Sequence, residues 1–230
     1  MDRMIDVDAA RALVADAALW PRVRDFLWDF APQVHGSWLE DLGRATLDEG
    51  LMSSPRVKRF ILSALGIEPC FHAFPKDDWS RLALLDGQAL ELIVKWLGAL
   101  TCAEDLRRVT DGKTVRALKA ALPGIYPEVF GYTAYFARID SQRRDAEAQG
   151  EESLDAGSRP SIAEKVVSDG LSIVDSLLAD VPSPILSRFR FKLPKSFCAS
   201  AAPRLKKESC GAVVAKLLKL KFPEAYRLCC

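Results

Sequence analysis

The run LELIVKWLGALTCAEDLRRVTDGKTVRALKAAL, residues 90–122, sets the strongest limit on how this chain folds. Leu90, Ile93, Val94, Leu97 and Leu100 recur near helical spacing, and Leu92 and Trp96 add apolar surface on the opposite side. A helix that is apolar nearly all round belongs in the middle of a core. Glu91 and Lys95 are the charges within it, and an acid four residues ahead of a base pairs with it along one narrow seam. Asp111 and Gly112 break the chain, and residues 114–122 restart as a helix with Val115, Leu118 and Leu122 inward and Arg116 and Lys119 outward. Pro123 and Gly124 stop it.

The rest of the chain carries the same helical period. Asp8 caps a helix through Trp20 with Leu13 and Ala17 inward, and Pro21 opens the next, where Val23, Phe26, Leu27 and Phe30 make one stripe. A helix over 37–47 carries Trp38, Leu39 and Leu42. Ser54 and Pro55 begin another, with Val57, Phe60, Ile61, Ala64 and Leu65 as its apolar face and Gly66 as its left-handed stop. Residues 69–75 read as an apolar loop and 76–85 as a helix. Residues 126–136 read as an aromatic surface that another helix covers. Ser161 and Glu164 form a capping box ahead of Val166, Val167, Ile173, Val174, Leu177 and Leu178. Pro182, Pro184 and Pro194 predict irregular chain, before closing helices over 209–220 and from Pro223 to Leu228.

No run alternates with period two, so the expected fold is all-α, a compact multi-helix globular protein with room for two helical lobes. Residues 1–138 are expected to form a body around the central helices, 139–160 a polar linker or loop, and 161–230 a basic helical part packed on that body.

With 49% of its 230 residues hydrophobic, the chain has material for a sizeable core, and no segment approaches the roughly 20 apolar residues that span a bilayer. The N-terminal MDRMIDVDAA puts acids where a signal peptide needs bases, so the expectation is a cytoplasmic protein without membrane insertion. Six cysteines at scattered spacing suit reduced, mostly buried thiols, and the closing pair Cys229 and Cys230 reads as chance rather than a lipidation signal. Net charge is +1, yet residues 161–230 hold 12 bases against 6 acids while residues 1–137 hold 16 against 19.

No motif of bond-making chemistry emerges, and neither an enzymatic activity nor a cofactor is expected. Gly112, Lys113 and Thr114 lack the earlier glycine and the preceding strand of a phosphate loop. His35 and His72 are the histidines, and Cys70, His72 and Cys102 fall short of a zinc set. Candidates for partner contact remain. His35 and Trp38 read as core or as an interface anchor. Arg107 and Arg108 read as a docking cluster or as helix ends tied to Glu104, Asp105 and Asp111. Lys216, Lys219 and Lys221 read as a contact face or as solvated lysines; beside Arg204, Lys206, Lys207 and Arg227 they also leave open a helical nucleic-acid-binding or regulatory protein.

Residues 96–122 resemble the signature region of the K proteins of the bacterial type III secretion sorting platform, the SctK/YscK family. HGSWL at 35–39 resembles that family's N-terminal block, with Gly36 where the block has proline, and LLKLKFPEAYRLCC at 217–230 resembles its closing helix. The resemblance implies an all-α, non-enzymatic adaptor at the cytoplasmic base of the injectisome. It implies two protein partners, the cytoplasmic domain of the inner-membrane ring protein (SctD-like) and the C-ring or pod protein (SctQ-like), and no nucleic acid.

Overall fold

The computed structural model describes residues 16–17, 19–40, 42, 52–67, 78–133, 161–199 and 207–230. The helices among them are α1 (Leu19–Trp28), α2 (Gly36–Glu40), α3 (Pro55–Ala64), α4 (Gly87–Thr101), α5 (Ala103–Arg108), α6 (Gly112–Ala121), α7 (Ile162–Leu177), α8 (Ser183–Phe191), α9 (Lys207–Lys221) and α10 (Pro223–Cys229). Single 3-10 stretches stand at Ala31–Gln33, Asp78–Leu84, Glu128–Gly131 and Lys195–Ala199. No strand occurs among the described residues, and the fold is all-α as its periodicity predicts. The 69–75 loop, the 139–160 segment and most of the helix expected from Asp8 lie outside the described residues.

The chain divides into two compact units, each built from separated segments: Met1–Leu90, Asp180–Cys198 and Glu224–Cys230 in one, Glu91–Ala179 and Ala199–Pro223 in the other. In the first, Val23 and Phe26 of α1, Leu82 and Ala83 of the Asp78–Leu84 stretch, and Ile185 and Phe189 of α8 are buried, and that stretch packs on both helices. Phe26 and Phe30 meet edge to face at 5.6 Å. Helix α8 corrects the expectation of irregular chain at 182–194. Pro182 sits at its N-cap and Pro184 in its first turn, where a missing amide proton breaks no helical bond. Two other expectations need correction. Ala17 is exposed, and of the apolar face expected on α3 only Ile61 is buried, Phe60 being 48% exposed.

In the second unit, α4 buries Ile93, Val94, Leu97 and Leu100, with Trp96 4% exposed. Leu92 is 39% exposed, so α4 keeps one open edge. Beside it, Lys95 pairs with Glu91 at 2.7 Å as their spacing predicts. Helix α7 starts with the expected capping box, buries Val166, Ile173, Val174 and Leu177, and packs on α9 through the buried Val214, Leu217 and Leu218 of the latter. At Gly98 and Gly170, α4 and α7 approach backbone to backbone. A Cβ placed on Gly98 would lie 1.6 Å from the Val166 carbonyl oxygen, and one on Gly170 would lie 2.0 Å from that of Val94. Each helix thus seats its glycine on the other's backbone, the close approach that small residues alone permit. The chain then turns at Cys102, whose thiol donates to Asp169 at 3.1 Å, and α6 begins at Asp111, whose carboxylate accepts from the Thr114 amide at 2.8 Å.

Candidate functional site

In the first unit, His35 to Trp38 close on the strip that follows α8. The His35 amide donates to the Phe191 carbonyl at 2.8 Å, Trp38 Nε1 donates to the Leu193 carbonyl at 2.9 Å, and the Lys195 amide donates to Ser37 Oγ at 2.9 Å. Alternate positions of the strip are therefore met in turn. Ser37 N and Oγ both reach His35 Nδ1, at 3.1 and 2.8 Å, which makes that nitrogen the acceptor and leaves the ring proton on Nε2. The Trp38 and Phe191 rings meet at 4.9 Å and 70°, and the Lys195 ammonium lies 5.9 Å over the indole. His35 and Trp38, candidates for outside contact, are half-buried and bonded to their own chain.

Lys192, within the strip, turns the other way. It is 1% exposed, and its ammonium donates to the carbonyls of Ala83 at 2.8 Å and Leu85 at 2.9 Å while lying 4.9 Å from the Phe26 ring centre. Two carbonyls and a ring face thus take its three N–H groups. Burial still pushes its pKa down to about 7, against Asp86 pulling it up and with Arg22 lowering it further. The backbone beside it is equally tight, since a Cβ on Gly87 would stand 2.7 Å from the Lys192 carbonyl oxygen.

In the second unit, Lys221 at the end of α9 bonds to Glu128 and holds its ammonium 4.9 Å over Trp96 and 4.6 Å over Tyr132, rings that meet edge to face at 5.8 Å. Burial lowers its pKa, but the bonds to Glu128 and Tyr132 outweigh it and the net shift is upward. Arg107 donates to the Phe130 carbonyl at 3.3 Å and to Thr133 Oγ1 at 2.7 Å, with its guanidinium 5.5 Å over the Phe130 ring. Asp105 bonds to Lys165 at 3.0 Å rather than to either arginine. Arg108, Lys216 and Lys219 are exposed, beside Leu220 at 50%.

The seven candidates are divided between the two units. His35 and Trp38 belong to one unit, and Arg107, Arg108, Lys216, Lys219 and Lys221 to the other. Four of them, His35, Trp38, Arg107 and Lys221, tie the chain to itself. Sequence reasoning missed Lys192, Ser37 and the glycine crossing. The crossing has a sequence signal, a Val-x-x-x-Gly in each helix at Val94 to Gly98 and at Val166 to Gly170. Among the described residues no group of His, Cys, Asp and Glu gathers as metal ligands do.

What the fold and these residues define is a helical protein in which Trp38, Arg107, Lys192 and Lys221 hold segments of the chain together. The family described as YOP proteins translocation protein K (YscK) matches residues 25–229, and the chain belongs to that family. It is a type III secretion protein, of a family of structural or accessory components of the secretion system. The match spans the 35–39 and 96–122 blocks and all but the last residue of the 217–230 block on which the resemblance rested. No curated protein and no solved structure matches the chain. Among the described residues no helix is long and apolar enough to cross a membrane.

Proposed function

We propose that this protein is a non-enzymatic adaptor of the type III secretion sorting platform. It links the cytoplasmic domain of the inner-membrane ring protein (SctD-like) to the C-ring or pod protein (SctQ-like), at the cytoplasmic base of the injectisome. The observation that carries the reading is the family match over residues 25–229. An adaptor works by binding free energy, which requires a body that keeps its shape under load. Bonds that cross long stretches of sequence, such as Trp38 to Leu193 and Lys192 to Ala83, give the first unit such a body. The glycine crossing does the same for the second.

The alternative of a nucleic-acid binder using the basic last third draws less support. Of the bases in residues 161–230, Arg188 and Lys192 are buried and Lys221 is bonded to Glu128, so these three do not add to a phosphate-facing surface. The deciding experiment deletes the gene in the parent bacterium and follows fluorescent pod protein and secretion. Loss of pod foci at the membrane, with the chain co-purifying with ring and pod proteins after nuclease treatment, is the expected result. Normal pods in the deletion strain, or co-purification abolished by nuclease, would overturn the reading.

A further inference from the structure

Lys192 lies in surroundings better suited to a free amine than to a charged one. It is 1% exposed, it donates to the carbonyls of Ala83 and Leu85, and the Phe26 ring covers it. Among the described residues no carboxylate bonds to it. Asp86, the acid whose charge reaches it, is exposed and accepts from the Ala89 amide at 2.7 Å, and Arg22 of α1 adds a like charge. On its own strip, the Lys195 ammonium lies over Trp38, and His35 meets the strip from just ahead of α2. An uncharged amine has two N–H groups, and the two carbonyls take both, so giving up the proton breaks neither bond. Keeping the proton gains one ring face in place of the water lost on burial. The fall of its pKa to about 7 has that cause.

The backbone around Lys192 ties its solvation to a larger movement. Its carbonyl is seated against Gly87, and the next residue, Leu193, is 0% exposed. The carbonyls of Phe191 and Leu193, on either side, accept from the His35 amide and the Trp38 indole, and the Lys195 amide donates to Ser37 Oγ. Returning the amine to water draws residues 191–195 away from residues 35–38 and parts the Trp38 and Phe191 rings.

We infer that residues 191–195 are a proton-gated latch on residues 35–38, which opens when Lys192 takes up a proton and closes when Lys192 releases it. The latch is a property of the first unit and does not depend on the adaptor reading. Open, the amine binds protons as an ordinary lysine does; closed, it binds them less well. Between 10.5, the ordinary lysine value, and about 7, each unit of falling pH therefore raises the ratio of open to closed by up to about tenfold, and below about 7 the ratio levels off.

Amide hydrogen exchange of the full chain tests this at the His35 and Lys195 amides, corrected for the exchange of unstructured peptide at each pH. Both amides should exchange faster than the slowest amides of α1, which marks an opening short of complete unfolding. Their protection should rise about tenfold per unit from about pH 7.5 to about pH 9, and Lys192→Met should remove the rise. Protection that does not change with pH overturns the latch. So does a rise that survives in Lys192→Met, which would belong to His35 or another group. Exchange at both amides as slow as the slowest of α1 also overturns it, because the strip then opens only when the whole unit unfolds. Should Lys192→Met fail to fold by circular dichroism, the Cε chemical shift of Lys192 is titrated in the unaltered chain. A midpoint near neutrality, with the change in protection beginning there, supports the latch, and a midpoint in the ordinary lysine range overturns it.

Discussion

Each of the two units shows one way of fastening helices most plainly. In the first, distant segments are fastened by side chains that donate to backbone carbonyls, Trp38 to Leu193, Arg81 to Leu228, and Lys192 to both Ala83 and Leu85. In the second, α4 and α7 touch through bare backbone at Gly98 and Gly170. The difference lies in how each contact fails. A donor that is lost leaves a carbonyl unsatisfied, and the cost is that carbonyl's desolvation penalty, about 1 to 3 kcal/mol. A backbone crossing has no slack, because any added atom must displace a main-chain carbonyl and the whole helix with it.

The largest expected effect follows. Gly98→Ala or Gly170→Ala should destabilise the protein by about 3 kcal/mol or more, since overpacking against rigid backbone exceeds the cost of an ordinary core change. Denaturant melts of the two variants measure it. Gly112→Ala supplies the control, with nothing within 4 Å of the added carbon, and should leave the midpoint almost unmoved. A Gly98 variant that melts with the unaltered protein would show that the two helices do not meet through backbone.

Next comes Lys192, where the staple titrates. Its folded pKa of about 7 lies below the 10.5 of an ordinary lysine. Between these values the unfolded chain holds a proton that the folded chain has released, so this group makes stability rise with pH across that window and adds no slope below it. At about 1.36 kcal/mol per unit the rise reaches at most about 5 kcal/mol. Lys192→Met should flatten that part of the stability profile, while costing about 2 kcal/mol at high pH for the two carbonyls left without donors. Thermal melts at a series of pH values compare the two slopes. Equal slopes would show that Lys192 does not titrate from its buried position.

A milder case is Trp38→Phe, which keeps an aromatic ring against Phe191 and removes only the donor to the Leu193 carbonyl. The expected loss is about 1 kcal/mol, read from the same melts. A loss of several kcal/mol would instead mean that the indole carries the packing of the unit.

What was legible in the sequence is what is local. The capping box at Ser161 and Glu164, the left-handed stop at Gly66, the helix stop at Pro123 and Gly124, and the Glu91 to Lys95 pair depend on residues within a turn of one another, and all stand as read. Helix α8 was misread because its prolines were counted as breakers without regard to position, although a proline in a first turn is harmless. Lys192 was illegible for a different reason. Nothing near it in the chain announces that its acceptors are the carbonyls of residues 83 and 85, so it counted towards a basic surface while lying in the core.

The smallest effect is expected at Lys221, and it sharpens the contrast because this staple lies in the unit that relies on backbone contact. Its ammonium has a carboxylate and two ring faces, yet Glu128 is 49% exposed, and solvent screens a pair of that kind. Lys221→Met keeps the aliphatic stem over Trp96 and Tyr132 and should cost under about 1 kcal/mol at neutral pH. Since the folded pKa is raised, the contribution is present below the ordinary lysine pKa and is lost as pH rises through the folded value, so the variant and the unaltered chain should converge in strong alkali. A cost as large as that of the glycine variants would mean that the cation over Trp96 and Tyr132, rather than the crossing of α4 and α7, is what keeps the second unit closed.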